Sequence, residues 1–393
     1  MSILNNKTNT VVLGLCQDVH MIHTATSLVN KGFEVIIFDS VKYSPGLKIR
    51  GIKDKFVNEK IEKDDLSLVN LLNEIGSKYP GSILLTGDDH TSYILCKYKK
   101  ELKNFRFLTL DYDTYQKVND KYLLANLAKS YNIKVPLTSK IDAFRSSDVL
   151  PYTILIKPKL GEAGEKQVKC NDISQYKSFI ESNKDNLDDY FIQEYIDGPI
   201  SNLYSINIVM DENFNPICTF SVNRLNIFRS KKILEGITTF LKGIPLENLI
   251  RDCKIFLKKI KYVGFGELEF KKDDNGRFNL IEINTRLWAY LKLATVSGID
   301  FPYSYIKYLL KKDDIELDDI NLNNFKEDLY YLRWAPDFYS NIFRIINKER
   351  SLADFIKIMY QRLILIIKGK LIIEKFESFR WIFLILRQRN RWV

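Results

Sequence analysis

Two apolar-alternating runs flank Asp274-Asn275-Gly276 in FGELEFKKDDNGRFNLIEINTR (265–286), and this stretch limits the fold more tightly than any composition does. Asn-Gly between such runs is the strongest short-range signal for a β-hairpin closed by a two-residue type I′ turn. With Asn275 and Gly276 as the turn, Glu269 stands opposite Glu282, and Glu267 opposite Asn284. Alternation sends Leu268, Phe270, Ile281 and Ile283 to the other, core-facing side. Directly opposed side chains lie roughly 5 Å apart at Cβ, where like charges repel. A positive charge between Glu269 and Glu282 would relieve that repulsion; a solvated hairpin, whose carboxylates tolerate each other in water, is the plainer alternative. The polar face collects only hard oxygen donors, two or three carboxylates and an amide, with Arg286 just beyond. That set suits Mg²⁺ or Mn²⁺ better than zinc. Mg²⁺ held by one or two carboxylates completes its shell with water and substrate phosphates, so the rest of the chain should supply a phosphate site.

The segment TVVLGLCQDVHMIHTATSLVNKGFEVIIFDS reads as strand (11–15), helix (21–31) and strand (34–39), a βαβ unit that predicts a parallel sheet. Its turn holds only Gly14 and lacks G-x-G-x-x-G, which argues against a dinucleotide. A further strand at 83–86 ends in Asp88, Asp89 and His90. Ligands gather at the carboxyl ends of parallel strands, which makes these three candidates for substrate contact, although a helix-capping Asp explains them more simply. A helix over 121–131 follows, then YTILIKPK with Lys157 at the strand end beside a glycine loop containing Gly161 and Gly164. Backbone amides of such a loop and an ammonium replace water around a nucleotide phosphate, whereas most strand-end lysines are merely solvated.

With Asp120-Lys121, Lys157-Pro158, the strand and hinge of DYFIQEYIDGP, and the E-x-E, E-x-N-x-R hairpin in that order, the chain resembles the ATP-grasp superfamily over roughly residues 1–312. Within it, the chain looks most similar to the carboxylate-amine ligases represented by D-aspartate ligase and carbamoyl-phosphate synthase. The resemblance implies an α/β and α+β protein: a Rossmann-like pre-ATP-grasp domain (1–112), an ATP-grasp N-lobe with a glycine lid (113–190), a C-lobe with the metal hairpin (191–312) and a basic helical extension (313–393). It implies Mg²⁺ or Mn²⁺ on Glu269, Glu282 and Asn284, and ATP phosphates on Lys121 and Lys157. Adenine would be read by the hinge Gln193, Glu194, Tyr195 and Ile196. Arg286 would stand near the transferred phosphoryl group and Arg224 would face the acyl phosphate. The chain departs from its relatives in the acidic lid residues Glu162 and Glu165, and in Ile200 where relatives place a ribose-binding acid. Three functions stay open: an ATP- and Mg-dependent ligase joining a small-molecule or peptide carboxylate to an amine, as in cell-wall or surface-glycan precursors; a nucleotide-binding scaffold without turnover; or carboxylation or phosphorylation on the same fold. The hairpin and both lysines favour the first.

A chain of 393 residues, 46% hydrophobic and 27% charged, suits a folded protein of two or three domains. Five scattered cysteines and a start without a signal-peptide pattern predict a reduced, cytoplasmic protein, and three histidines argue against a histidine-rich metal centre. The net charge of +10 is concentrated: residues 341–393 hold twelve Lys or Arg against four Asp or Glu. That segment also contains RLILIIKGKLIIEKF and FRWIFLILRQRNRWV, apolar runs too short to span a bilayer. A helical appendage packed on the main body with solvated charges is the simpler reading; a basic amphipathic surface touching anionic lipid is the other. No nucleic-acid-binding motif is present in the sequence.

Overall fold

The structure is a computed structural model that describes residues 9–161, 166–230, 233–311 and 325–374. The amino-terminal βαβ expectation holds. Strands β1 (Thr10–Gly14), β2 (Glu34–Asp39), β3 (Ile52–Val57), β4 (Ser82–Leu85) and β5 (Phe105–Arg106) form a parallel sheet in the order β3-β2-β1-β4-β5. Helices α1 (Val19–Asn30), α2 (Asp65–Lys78) and α3 (Asp89–Lys97) connect them. Val11, Val12, Leu13, Ile36 and Ile37 are fully buried, as strands covered on both faces require.

Helices α4 (Tyr112–Asn119) and α5 (Lys121–Ser130) lead into a small antiparallel sheet of β6 (Thr138–Lys140), β7 (Ile154–Pro158), β8 (Val168–Cys170) and β9 (Tyr190–Glu194), backed by α6 (Ile173–Ser182). The larger sheet takes β10 (Leu203–Met210), β11 (Pro216–Ser230), β12 (Ile233–Gly243), β13 (Gly264–Lys272) and β14 (Phe278–Asn284). Helix α7 (Glu247–Lys259) packs on one face; α8 (Leu291–Ser297) and α9 (Phe301–Lys311) follow the hairpin. The extension is helical in α10 (Trp334–Ile346) and α11 (Leu352–Ile367), and it also adds two short strands, β15 (Tyr330–Leu332) and β16 (Leu371–Ile373), to the edge of the large sheet beyond β12. Among the described residues no helix is long and apolar enough to cross a membrane, and all five cysteines are buried free thiols.

The hairpin pairs Glu269 with Glu282 and Glu267 with Asn284, but by a different route from the one the turn residues predict. Near the turn the register is Phe270 to Leu280 and Lys272 to Phe278, which leaves five residues in the loop. Only Gly276 there has positive φ, at 75°, so the loop is not type I′, which needs two such residues. Asp273 closes it, accepting from the Asn275 and Arg277 amides at 3.0 and 2.9 Å. A bulge at Ile281 on β14 then restores the register of the glutamates. The bulge also corrects the expected core: Leu280 is buried beside Leu268, Phe270 and Ile283, against Leu124, Phe256 and Leu257, while Ile281 turns into the cleft.

Desolvation would raise the Asp273 carboxyl, but the Arg277 amide and the Lys134 ammonium outweigh it and hold the group well below the usual carboxylate range. A depressed acid contributes stability above its unfolded pKa and loses it on acidification. Asp273→Asn is therefore expected to cost about 1–3 kcal/mol at neutral pH, with the difference from wild type shrinking as pH falls below about 4, measured by urea unfolding across pH.

Candidate functional site

A cleft of about 450 Å³ lies between the small and large sheets. Its floor is the polar face of β10, β13 and β14, where alternation brings Ser205 beside Glu269 and Asn207 beside Glu267. Glu269 and Glu282 are mostly buried, their side chains 15% and 16% exposed. The protein itself places cations beside them. The Arg224 guanidinium bonds Glu269, reaches Glu267 at 3.2 Å and donates to Ser205 Oγ at 2.9 Å, while the Lys121 ammonium lies 3.4 Å from Glu282. Asn284 donates its amide to Glu267 and Glu269 at 3.2 Å each.

The two facing carboxyls respond in opposite directions, as close like charges do. Burial, opposed by Arg224 and reinforced by Glu282 and Glu267, pushes Glu269 up to about 8. Burial also disfavours charge on Glu282, but Lys121, Lys157 and Arg224 outweigh it and hold that carboxyl below its ordinary value. The face thus holds one carboxyl that resists ionisation and one that favours it, side by side. Two carboxylates and an amide open to the cleft fit a hard divalent cation, with water and phosphate oxygens completing its shell. Among the described residues no group of three or more His, Cys, Asp or Glu is placed to hold a metal ion.

The other expected residues converge on the same space. Lys157, at the end of β7, is buried at 1% exposure with its ammonium 3.4 Å from Gln193 Oε1. Lys121 opens α5, whose cap Asp120 accepts from the Tyr122 and Leu123 amides, and it donates to the Gly161 carbonyl at 2.6 Å. Gly161 sits at φ 127°, a conformation open to glycine and strained for other residues, and lines the cleft; Gly164, Glu162 and Glu165 lie outside the described residues. Gln193, Glu194, Tyr195 and Ile196 form the far wall, where the Glu194 amide bonds the Leu137 carbonyl and Lys169 stacks 3.8 Å from the Tyr195 ring. Arg286 also lines the cleft, steadied by Asp89 at 2.8 Å.

Of the strand-end trio, Asp88 is the helix cap, accepting from the Thr91 amide and hydroxyl at 2.7 Å each. Asp89 acts on the site through Arg286, and His90 is absent from the cleft wall. Among the residues that escaped the sequence analysis, Tyr290 and Arg333 line the cleft, while Ser205 and Asn207 are fully buried beneath its floor. Ser205 and Asn207 were visible as polar positions alternating with Ile206 and Ile208. Tyr290, whose hydroxyl bonds Glu267, follows Arg286 by one helical turn in the sequence. Arg333 comes from the junction of β15 and α10, far along the chain, and no local signal marked it.

Residues 118–290 match the family model for the ATP-grasp domain. The chain carries an ATP-grasp domain. All the cleft residues expected from the sequence fall within those residues of the domain. The chain is similar to D-aspartate ligase of Enterococcus faecium, 20% identical over 63% of this chain and 65% of that protein, so it spans just under two thirds of that relative. It is also similar to the alpha-aminoadipate–LysW ligase LysX of Saccharolobus solfataricus, 24% identical over 70% of this chain and 88% of the relative. Among solved structures, an L-amino acid ligase from Bacillus licheniformis shares the fold at TM-score 0.60 and 13% identity, covering 83% of this chain and 79% of that one. The biotin carboxylase domain of Hydrogenobacter thermophilus 2-oxoglutarate carboxylase, solved with MgADP and bicarbonate, does so at TM-score 0.63 and 13% identity, covering 83% of this chain and 74% of that one.

Removing Arg224 from this ATP-grasp domain strands buried carboxylates without a counter-charge. Arg224→Met is expected to destabilise the nucleotide-free protein by about 3–5 kcal/mol in urea unfolding, several times the cost of Tyr290→Phe.

Proposed function

We propose that this protein is an ATP- and Mg²⁺-dependent ligase that activates a carboxylate as an acyl phosphate and joins it to an amine. The observation that carries the reading is the hairpin face, where Glu269, Glu282 and Asn284 meet Lys121 and Arg286 in one cleft with the hinge opposite. The ligase names of the two sequence relatives and of the L-amino acid ligase neighbour support the same class of bond.

A carboxylate is a poor electrophile at neutral pH. Phosphorylation at the expense of ATP gives it a leaving group, and amine attack on the acyl carbon then releases phosphate, so no protein nucleophile is required. Mg²⁺ held by Glu269, Glu282 and Asn284 would neutralise phosphate charge. Lys121 and Lys157 bring ammonium groups to the phosphates. Arg286, oriented by Asp89, presents a guanidinium to the moving phosphoryl group and to the reacting carboxylate, a task of positioning and electrostatics. The hinge Gln193–Ile196 takes adenine, and Arg224 faces the acyl phosphate once nucleotide and ion share the carboxylates with it.

Small-molecule or peptide substrates fit a cleft of this volume. The setting we assign is the synthesis of cell-wall or surface-glycan precursors in the cytoplasm beside a membrane, supported by the basic, aromatic carboxyl-terminal sequence. The test is ADP release with Mg²⁺ and ATP, screened over amino acids, short peptides and sugar acids. Release that needs one acid and one amine together is expected, and Arg286→Met should lower kcat by about a hundredfold or more. Release that ignores the amine would overturn the ligase reading in favour of a kinase.

A further inference from the structure

Helix α11 breaks the rule that a helix turns its apolar stripe inward. Its sequence is LADFIKIMYQRLILII, yet Arg362 is its one buried residue. Arg362 pairs with Asp337 of α10, which also accepts from Asn226 at 2.7 Å and Thr239 at 2.9 Å, and the guanidinium stacks 4.6 Å from the Phe240 ring. That polar anchor fixes which side faces the body. Leu352, Ile356, Tyr360, Leu363 and Ile367, about 80–160° around the helix from Arg362, face outward and are 62, 60, 63, 51 and 75% exposed. At about 100° per residue, these positions fall within an arc of roughly 80° along the helix. Phe338 of α10, 39% exposed and 5.9 Å from the Phe355 ring, extends the apolar face. A continuous patch of this kind marks a surface that something else covers.

Charge decides what covers it. Residues 341–374 carry seven Lys or Arg against three Asp or Glu, with Arg362 and Lys370 paired to Asp337 and Asp328 outside that stretch, and residues 375–393 carry five against one. Exposed Lys357 and Lys368 lie on α11 itself and its cap. Packing the carboxyl-terminal segment onto α11 would bring two positively charged segments together, and a second copy of the chain would double the repulsion. Nucleic acid matches the charge but offers no apolar layer. A bilayer with anionic headgroups offers both, and the Trp381 and Trp392 side chains in the following sequence are the aromatic type that settles at such an interface.

We propose that α11 lies on an anionic lipid surface, with its Leu352–Ile367 stripe entering the headgroup boundary beside the exposed Lys357 and Lys368. An apolar stripe and neighbouring cations together supply the two signals that stable attachment takes. The proposal gives the membrane setting a physical contact and does not depend on the ligase chemistry, since vesicle binding is read without nucleotide.

The test is co-sedimentation of the full chain with vesicles of phosphatidylcholine alone or with about one third phosphatidylserine, the anionic headgroup that attracts basic segments. Wild type is expected to bind the anionic vesicles at least about tenfold more tightly, with binding weakening as salt rises. The variant I356E/L363E/I367E, altered only at exposed positions, should lose that binding while unfolding at the same urea concentration as wild type. Equal binding to both vesicle types, or undiminished binding of the triple variant, would overturn the proposal. So would a wild-type dimer in light scattering that the variant turns into monomer, or α11 amides in hydrogen exchange that become exposed only when the chain is cut after Glu374.

Discussion

The facing of Glu269 and Glu282 across β13 and β14 is the interaction on which the rest of the site depends. Two carboxylates in direct register repel, and a sheet keeps such a pair only where positive charge compensates it. Arg224 and Lys121 give part of that compensation from two different places, one on β11 and one at the head of α5. Their attachment ties the large sheet to the helix that leads into the small sheet. The same contacts leave Glu269 pushed up and Glu282 held down. Carboxylates open to the cleft, with two lysines and an arginine around them, would suit a divalent ion and a polyphosphate together.

Rigidity of this face comes from its back. Leu268, Phe270, Leu280 and Ile283 are locked against Phe256, Leu257 and Leu124, so the carboxylates project from a packed β-structure and not from a loop. The bulge at Ile281 offsets the five-residue loop, so that Glu269 and Glu282 stay in register. Asp89 steadies Arg286 in the same manner from the parallel sheet, whose end meets the end of the hairpin.

Much of this was legible from residues alone because it is periodic or local. The alternation of the hairpin, the βαβ unit and the Asp88 cap each follow from rules that act within a few residues. The two-residue turn failed because Asp273 offers its carboxylate to two loop amides and so stabilises a longer loop than Asn-Gly by itself prefers. Tyr290 and Arg333 were hidden for a different reason: their value lies in tertiary neighbours, and Arg333 reaches the cleft only because β15 joins the sheet edge beside β12. The outward stripe of α11 was equally out of reach, since helical periodicity shows that a face exists but not which way it points.

We propose that the opposed glutamates form a metal face completed by nucleotide. The most direct measurement is the anomalous scattering of Mn²⁺ in crystals grown with ADP. One or two peaks bounded by Glu269, Glu282 and Asn284 are expected, with nucleotide between the hinge and Lys157. Nucleotide bound in the cleft with no anomalous peak at those glutamates, Arg224 and Lys121 still occupying them, would contradict it.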